Sequence, residues 1–313
     1  GIPEPEINLG VGSGSHASQT AQVLERMEPV LKEHRPDALM VVGDVNSTLA
    51  ATLAAVKLGI PVAHVEAGLR SFDRDMPEEV NRVLTDAVSH WLFTTEESAR
   101  ENLLREGIAA GRIHFVGNVM IDTLLANLDR ARKLDTLERL AIEPRGYALL
   151  TLHRPSNVDD PSQLQGLMNV LEEIHGELPI VFPIHPRTKA AIEANLDGTI
   201  GSLRTTEPLG YLEFLQLMAN ARVVLTDSGG IQEETTALGI DCLTLRDTTE
   251  RPEGIAAGTA RLVATDPARI FEETSRLLDD PQAYAAMAQA HNPYGDGQAA
   301  IRIAKIVAAH HAA

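Results

Sequence analysis

Val223-Val224-Leu225-Thr226-Asp227-Ser228-Gly229-Gly230-Ile231-Gln232-Glu233-Glu234 decides how this chain folds. The first four residues are β-branched or apolar and read as a buried strand. From Ile231 to Leu238 the pattern reads as a helix. A glycine pair between a strand end and a helix start lets backbone N–H groups approach an anion, and the positive end of the helix dipole favours it. Glu233 and Glu234 stand about one turn further on, where a carboxylate accepts hydrogen bonds from sugar hydroxyls. Ser228, Gly229, Gly230 and Glu234 are therefore candidates for a phosphate cradle with a ribose beside it. A tight turn with Asp227 as helix cap and a solvated acidic first turn would leave the same trace in the sequence.

Outward from this stretch, short apolar runs alternate with helical periods. Candidate strands are 38–42, 62–65, 91–94, 114–116, 148–152, 180–182, 223–226, 242–245 and 262–264, and amphipathic stretches such as 18–32, 47–58, 97–106 and 211–219 lie between them. This alternation predicts βαβ units with parallel sheets covered on both faces. The fold class is α/β, with two Rossmann-like doubly wound domains. A polar stretch over 134–147, ending in Glu143-Pro144-Arg145-Gly146, marks the boundary. The expected domains are 1–145 and 146–296, with a last helix over 297–309 crossing back to the first. The chain opens on the irregular Gly1-Ile2-Pro3-Glu4-Pro5 and reaches a helix before any convincing strand.

The 313 residues carry a formal charge of −17, from 44 acidic and 27 basic side chains. That charge argues against a nucleic-acid or anionic-membrane surface, but a local arginine cluster still suits a small anion. The single cysteine, Cys242, excludes an internal disulfide. No apolar run reaches the roughly 18 residues of a membrane span, and a cytoplasmic location is expected.

Asp44 and Glu66 each follow a predicted strand, at the carboxyl ends where open α/β sheets bind ligands. Asp44 suits either a helix cap or a ligand contact. Glu66 sits between Val65 and Ala67, and a carboxylate in such a run is costly unless something holds it, which favours function. Glu78 opens a helix after Pro77 and suits either a dipole partner or a catalytic group. In the second half His153 and His185 end strands with arginines alongside, which points to an anion site to which Arg82, Arg246 and Arg251 can contribute. The acids lack a compact ligand signature such as H-E-x-x-H, so no metal is expected, and no dinucleotide fingerprint calls for a redox cofactor.

His64-Val65-Glu66-Ala67-Gly68-Leu69-Arg70, Met76-Pro77-Glu78-Glu79-Val80-Asn81-Arg82, Thr151-Leu152-His153-Arg154-Pro155-Ser156-Asn157, the stretch 226–234 and Arg246-Asp247-Thr248-Thr249-Glu250-Arg251-Pro252-Glu253 together resemble the non-hydrolysing UDP-N-acetylglucosamine 2-epimerases, in family order and over nearly the whole chain. The resemblance implies a GT-B-like fold with the two domains facing a central cleft. It implies UDP in the C-terminal domain, with the pyrophosphate on Ser228, Gly229 and Gly230 and the ribose on Glu234. Asp44, Glu66, Glu78 and His153 match catalytic positions; Arg82, His185 and Arg251 are substrate-binding candidates. UDP-N-acetylglucosamine is the implied ligand, a homodimer the expected assembly, and no cofactor is required. The implied route eliminates UDP across C1–C2 to 2-acetamidoglucal and adds it back with inverted C2. A hydrolysing 2-epimerase, a GT-B glycosyltransferase and a non-catalytic UDP-binding fragment are the alternatives. The family's opening G-T-R-P-E-x-x-K motif has no counterpart. Two βα units, on the order of 50–60 residues, are expected to be missing, with weak or absent activity in a chain starting at Gly1.

Overall fold

The computed structural model describes residues 3–196, 198, 200–249, 251–288 and 292–311; Glu250 of the last sequence motif lies outside them. The chain divides into two compact units, Gly1–Val119 with Gln298–Ala313, and Met120–Gly297.

The first unit runs α1 (His16–His34), β1 (Leu39–Val42), α2 (Asn46–Lys57), β2 (Val62–Val65), α3 (Pro77–Val88), β3 (Trp91–Thr94), α4 (Glu97–Arg105) and β4 (Ile113–Phe115). Its strands are parallel and lie in chain order, β1-β2-β3-β4. Among the described residues this unit thus winds in one direction only, half of a doubly wound pattern. β2 and β3 are buried along their whole length, including the polar His64 and Thr94, as strands in the middle of a covered parallel sheet are. β1 is an edge, with Met40 48% and Val42 52% exposed. Ser15 caps α1 by accepting the Ser18 N–H at 3.3 Å, so the glycine-serine stretch before it is a capping loop.

α3 inverts the usual amphipathic arrangement. Pro77 supplies its first turn with a preset φ. Its buried face carries Glu79, Arg82 and Asp86, whereas Val80 and Leu84 face solvent. A buried polar face is stable only when every group finds a partner, and the partners are the strand ends described below.

The second unit contains α5 (Val119–Ala131), α6 (Thr136–Arg139), β5 (Ala148–Thr151), α7 (Pro155–Val158), α8 (Pro161–Glu177), β6 (Ile180–Pro183), α9 (Pro186–Asn195), β7 (Arg204–Thr206) and α10 (Tyr211–Asn220). It continues with β8 (Val223–Thr226), α11 (Gly229–Leu238), β9 (Asp241–Thr244), α12 (Pro252–Ala257), β10 (Ala260–Leu262), α13 (Pro267–Asp279) and α14 (Pro281–Ala288). The six parallel strands lie in the order β10-β9-β8-β5-β6-β7, the strand order of a Rossmann sheet with its switch point beside β5. Strand alternation divides the apolar residues between two faces. Leu150, Phe182 and Leu225 pack with Leu167 and Leu171 of α8. Leu149, Val181 and Val224 pack with Leu215 and Met218 of α10. α15 (Ala299–His311) belongs to the first unit, where Ile303 joins Ala63, Val65, Trp91 and Phe93.

Three details differ from the sequence reading. The division falls at Val119/Met120 rather than after residue 145, because α5 buries Leu124 and Ala131 among Tyr147, Leu149 and Val224 of the second unit. β7 has no apolar run to announce it: it is an edge strand of Arg204, Thr205 and Thr206, none of them buried. The last strand lies at Ala260–Leu262 rather than 262–264. No described helix is long and apolar enough to cross a membrane. Cys242 is fully buried in β9, and burial pushes its thiol up to about 11.

Candidate active site

In the second unit the chemistry collects at the switch point. His153 follows β5 and Asp227 follows β8, neighbours in the sheet. Asp227 is fully buried. Its Oδ2 accepts the backbone N–H groups of His153 and Arg154, each at 2.8 Å. Its Oδ1 stands 2.8 Å from His153 Nδ1. Burial alone would raise the Asp227 carboxyl, but the His153 hydrogen bond and the two backbone donors outweigh it and hold it below the usual range. The expected helix cap is therefore an organiser of the β5 loop: it fixes the histidine tautomer and leaves the other ring edge outward, with the side chain 41% exposed. The His185 ring lies 5.8 Å from that of His153, and its Nδ1 accepts the Arg187 N–H at 3.2 Å to cap α9.

Both histidines line a cavity of about 400 Å³ with Thr151, Pro183, Leu209, Phe214, Ser228 and Ile231. Its floor is apolar and one wall is the start of α11. Ser228 precedes that helix without making a side-chain cap bond, so the first-turn N–H groups stay available to a ligand. A Cβ at Gly230 would meet nothing within 4 Å; packing does not require glycine there. Glu234 is buried, and Tyr211 Oη donates to its Oε1 at 3.2 Å. Burial, reinforced by neighbouring Glu233, pushes Glu234 up to about 7 against the Tyr211 bond. Glu233 faces the other way and pairs with Arg251 Nε at 2.5 Å. Arg251 is thus committed to a protein carboxylate beside the cradle.

In the first unit, Asp44 and Glu66 occupy neighbouring strand ends. Gly43, at φ +70°, turns the chain out of β1, and a Cβ on it would stand 3.6 Å from Glu66 Oε2. The Glu66 carboxylate therefore lies over the β1–β2 corner. Glu66 itself sits at φ +70°, a left-handed conformation uncommon for a non-glycine residue and often tied to function. Asp44 Oδ2 receives Arg82, whose other nitrogen donates to Glu79 at 2.7 Å. Glu79 also accepts the backbone N–H groups of Ser71 and Phe72, at 2.9 and 3.0 Å. Burial opposes its charge, but these donors and Arg82 hold it below its ordinary value. Arg82 is a buried clamp on Asp44 rather than a cation presented to solvent. Glu78 lines a larger cavity of about 690 Å³ with Asn46, Asn81, His16 and Gln19.

Sequence reasoning did not single out Asp227 as an organiser, nor Glu79, Asp86 or Tyr211. The first three left a signal: charged residues at 79, 82 and 86 share one helical face, and Asp227 directly follows a β-branched and apolar run that reads as a buried strand. Tyr211 left none.

Two Rossmann-like α/β units, one with an open helix start at its switch point, define a GT-B-like protein. The model of the UDP-N-acetylglucosamine 2-epimerase family matches residues 1–308. The UDP-N-acetylglucosamine 2-epimerase of Methanocaldococcus jannaschii is 44% identical over 98% of this chain and 84% of that protein. Its crystal structure in complex with UDP-GlcNAc and UDP superposes with a TM-score of 0.88 over 98% of this chain and 85% of that one, at 43% identity. The UDP-2,3-diacetamido-2,3-dideoxy-D-glucuronate 2-epimerase of Pseudomonas aeruginosa is 41% identical over 98% of this chain and 85% of that protein. The chain belongs to the UDP-N-acetylglucosamine 2-epimerase family.

Proposed function

We propose that the protein interconverts UDP-N-acetylglucosamine and UDP-N-acetylmannosamine by elimination and re-addition of UDP. Beyond family membership, the observation that carries the reading is the switch point of the second unit. There His153, oriented by buried Asp227, adjoins the uncapped start of α11, with Glu234 one turn inside.

No carbonyl acidifies C2 of the sugar, so direct proton exchange at that carbon is too slow. In the elimination a carboxylate takes the C2 proton while the C1–O bond breaks and its electron pair leaves with UDP, giving 2-acetamidoglucal. Re-addition delivers a proton to the opposite face of C2 as the UDP oxygen re-forms its bond to C1. Glu66, Asp44 and Glu78 are the proton-transfer candidates. His153 and the first N–H groups of α11 support the departing pyrophosphate. Glu234 takes the ribose hydroxyls, and His185 lines the nucleotide cavity. Arg82 acts through Asp44, and Arg251 through Glu233. The reading includes a homodimer in the cytoplasm.

The test is turnover in D2O. The product should carry deuterium at C2, and traces of UDP and 2-acetamidoglucal should accumulate. Epimerisation that keeps the original C2 hydrogen would sink the elimination route. Turnover confined to UDP-2,3-diacetamido-2,3-dideoxy-D-glucuronate would keep the chemistry and change the sugar.

A further inference from the structure

Behind the β1–β2 corner lies a buried chain of charges that the reaction as described does not use. His64, two residues before Glu66, is fully buried in β2. Its Nδ1 lies 2.7 Å from Asp86 Oδ1, and its Nε2 lies 2.8 Å from the Gly43 carbonyl oxygen. Asp86 Oδ2 accepts the Gly68 N–H at 3.0 Å and meets Arg70 Nη1 at 2.8 Å. Arg70 then sets two nitrogens on Glu106, at 2.8 and 2.6 Å.

The two ring nitrogens of His64 decide its charge. A carbonyl oxygen only accepts, so Nε2 carries a proton. Asp86 already receives a guanidinium and a backbone N–H, so it is ionised and Nδ1 carries a proton too. A neutral imidazole has one donor and one acceptor; two donors make the imidazolium. Burial opposes that charge, but Asp86, the Gly43 carbonyl and Glu66 outweigh it and raise His64 above its ordinary value. The tetrad is then two cations and two anions: His64, Asp86 and Arg70 are buried, and Glu106, at the solvent edge, balances the second cation.

What the tetrad grips is the backbone on either side of the candidate acids. Gly43 precedes Asp44, and Gly68 follows Glu66 by two residues. Both glycines have positive φ, +70° and +82°, so each turn depends on outside bonds to keep its path. We infer that His64 and Asp86 are positioning residues, which set Asp44 and Glu66 at their working separation by holding the Gly43 carbonyl and the Gly68 N–H from one buried point. The groups facing His64 are Asp86 of α3, the Gly43 carbonyl after β1 and Glu66 after β2; Arg70 and Glu106 stand behind Asp86. The inference rests on the proposed reaction for its catalytic meaning, but its geometry stands without it.

The test compares the whole protein with His64→Gln and Asp86→Asn, with Asp86→Glu as the rescue. Gln retains a donor for the Gly43 carbonyl and loses the charge; Asn removes the anion. In the folded variants kcat and C2 deuterium incorporation should fall about 10²-fold, the cost of a misplacement near 1 Å. KM and UDP affinity should stay within about twofold of wild type, since the UDP cradle lies in the other unit. Asp86→Glu should recover part of kcat. Amide exchange at Gly68 should quicken while protection of β3 and the second unit holds. Folded variants with wild-type kcat overturn the inference, as does loss of kcat, UDP binding and global protection together. If Asp86→Asn does not fold, His64→Gln carries the same comparison. A wild-type protein that binds UDP but exchanges no C2 proton defeats the proposed reaction rather than the network. The Gly68 amide then decides: quickened exchange in Asp86→Asn supports the positioning, and unchanged exchange overturns it.

Discussion

The two units place their candidate site residues at the same topological position, just past the carboxyl ends of parallel strands, yet they manage charge in opposite ways. In the first unit the strand ends carry acids, and the fold answers at Asp44 with a buried cation, Arg82. In the second unit the strand ends present donors, and the fold answers with a buried anion, Asp227, beneath His153 and Arg154. One site is built to hold negative side chains in place; the other is built to receive a negative ligand. On the proposed reaction, a single α/β plan would serve proton transfer in one unit and anion binding in the other by exchanging the sign of the supporting charge.

The largest effect that would test this contrast is on Glu66. Glu66→Gln keeps the shape and removes the base, so C2 deuterium exchange should drop by roughly 10²–10⁴ while UDP binds as before. A variant that loses UDP affinity instead would erase the division of labour between the units.

A pair of glycines sharpens it next. Gly68 sits at φ +82°, and a Cβ there would collide with the Ala99 carbonyl oxygen of α4. Gly68→Ala should therefore lower unfolding free energy by more than ~1 kcal/mol, with UDP affinity unchanged in whatever remains folded. Gly230 meets nothing. Gly230→Ala should leave stability unchanged or raise it by up to ~1 kcal/mol, and UDP affinity should fall in calorimetry because the methyl intrudes on the cradle. Unchanged affinity in both Gly230→Leu and Glu234→Ala would move the nucleotide elsewhere.

How far the sequence led is visible in the same residues. Most of the described strands announce themselves through apolar runs, because they are buried in the middle of their sheets; β7, a polar edge strand, does not. The strand-end positions of Asp44, Glu66, His153 and His185 follow from those runs alone. What the sequence conceals is which charges are turned inward. Arg82 and Arg251 look like ligand-binding cations because arginine usually reaches solvent, and only the fold pairs them with Glu79, Asp44 and Glu233. Partner identity is a long-range property: His64 and Asp86 are 22 residues apart, and no local pattern links them.

The smallest expected effect is a titration. Glu234, pushed up to about 7 by burial, accepts hydroxyl donors best when ionised. UDP-N-acetylglucosamine should bind tightly above that value and lose affinity as pH falls through it, by at most about tenfold between pH 8 and 6 for one linked proton. Calorimetry across that range should show the slope in wild type and not in Glu234→Gln. A slope that survives the substitution would assign the proton to another group.

Cys242 gives the second unit a built-in clock. Its sulfur is sealed inside β9, between β8 and β10 and against Thr235 of α11. A thiol reagent reaches it only when that sheet parts, so the labelling rate under native conditions counts openings without any engineered probe. A nucleotide seated at the start of α11 must be released, or carried along, each time the strand comes free. Saturating UDP should therefore slow the clock by the factor that mass action assigns to its affinity, and the first unit, with no sulfhydryl of its own, stays silent in the same tube.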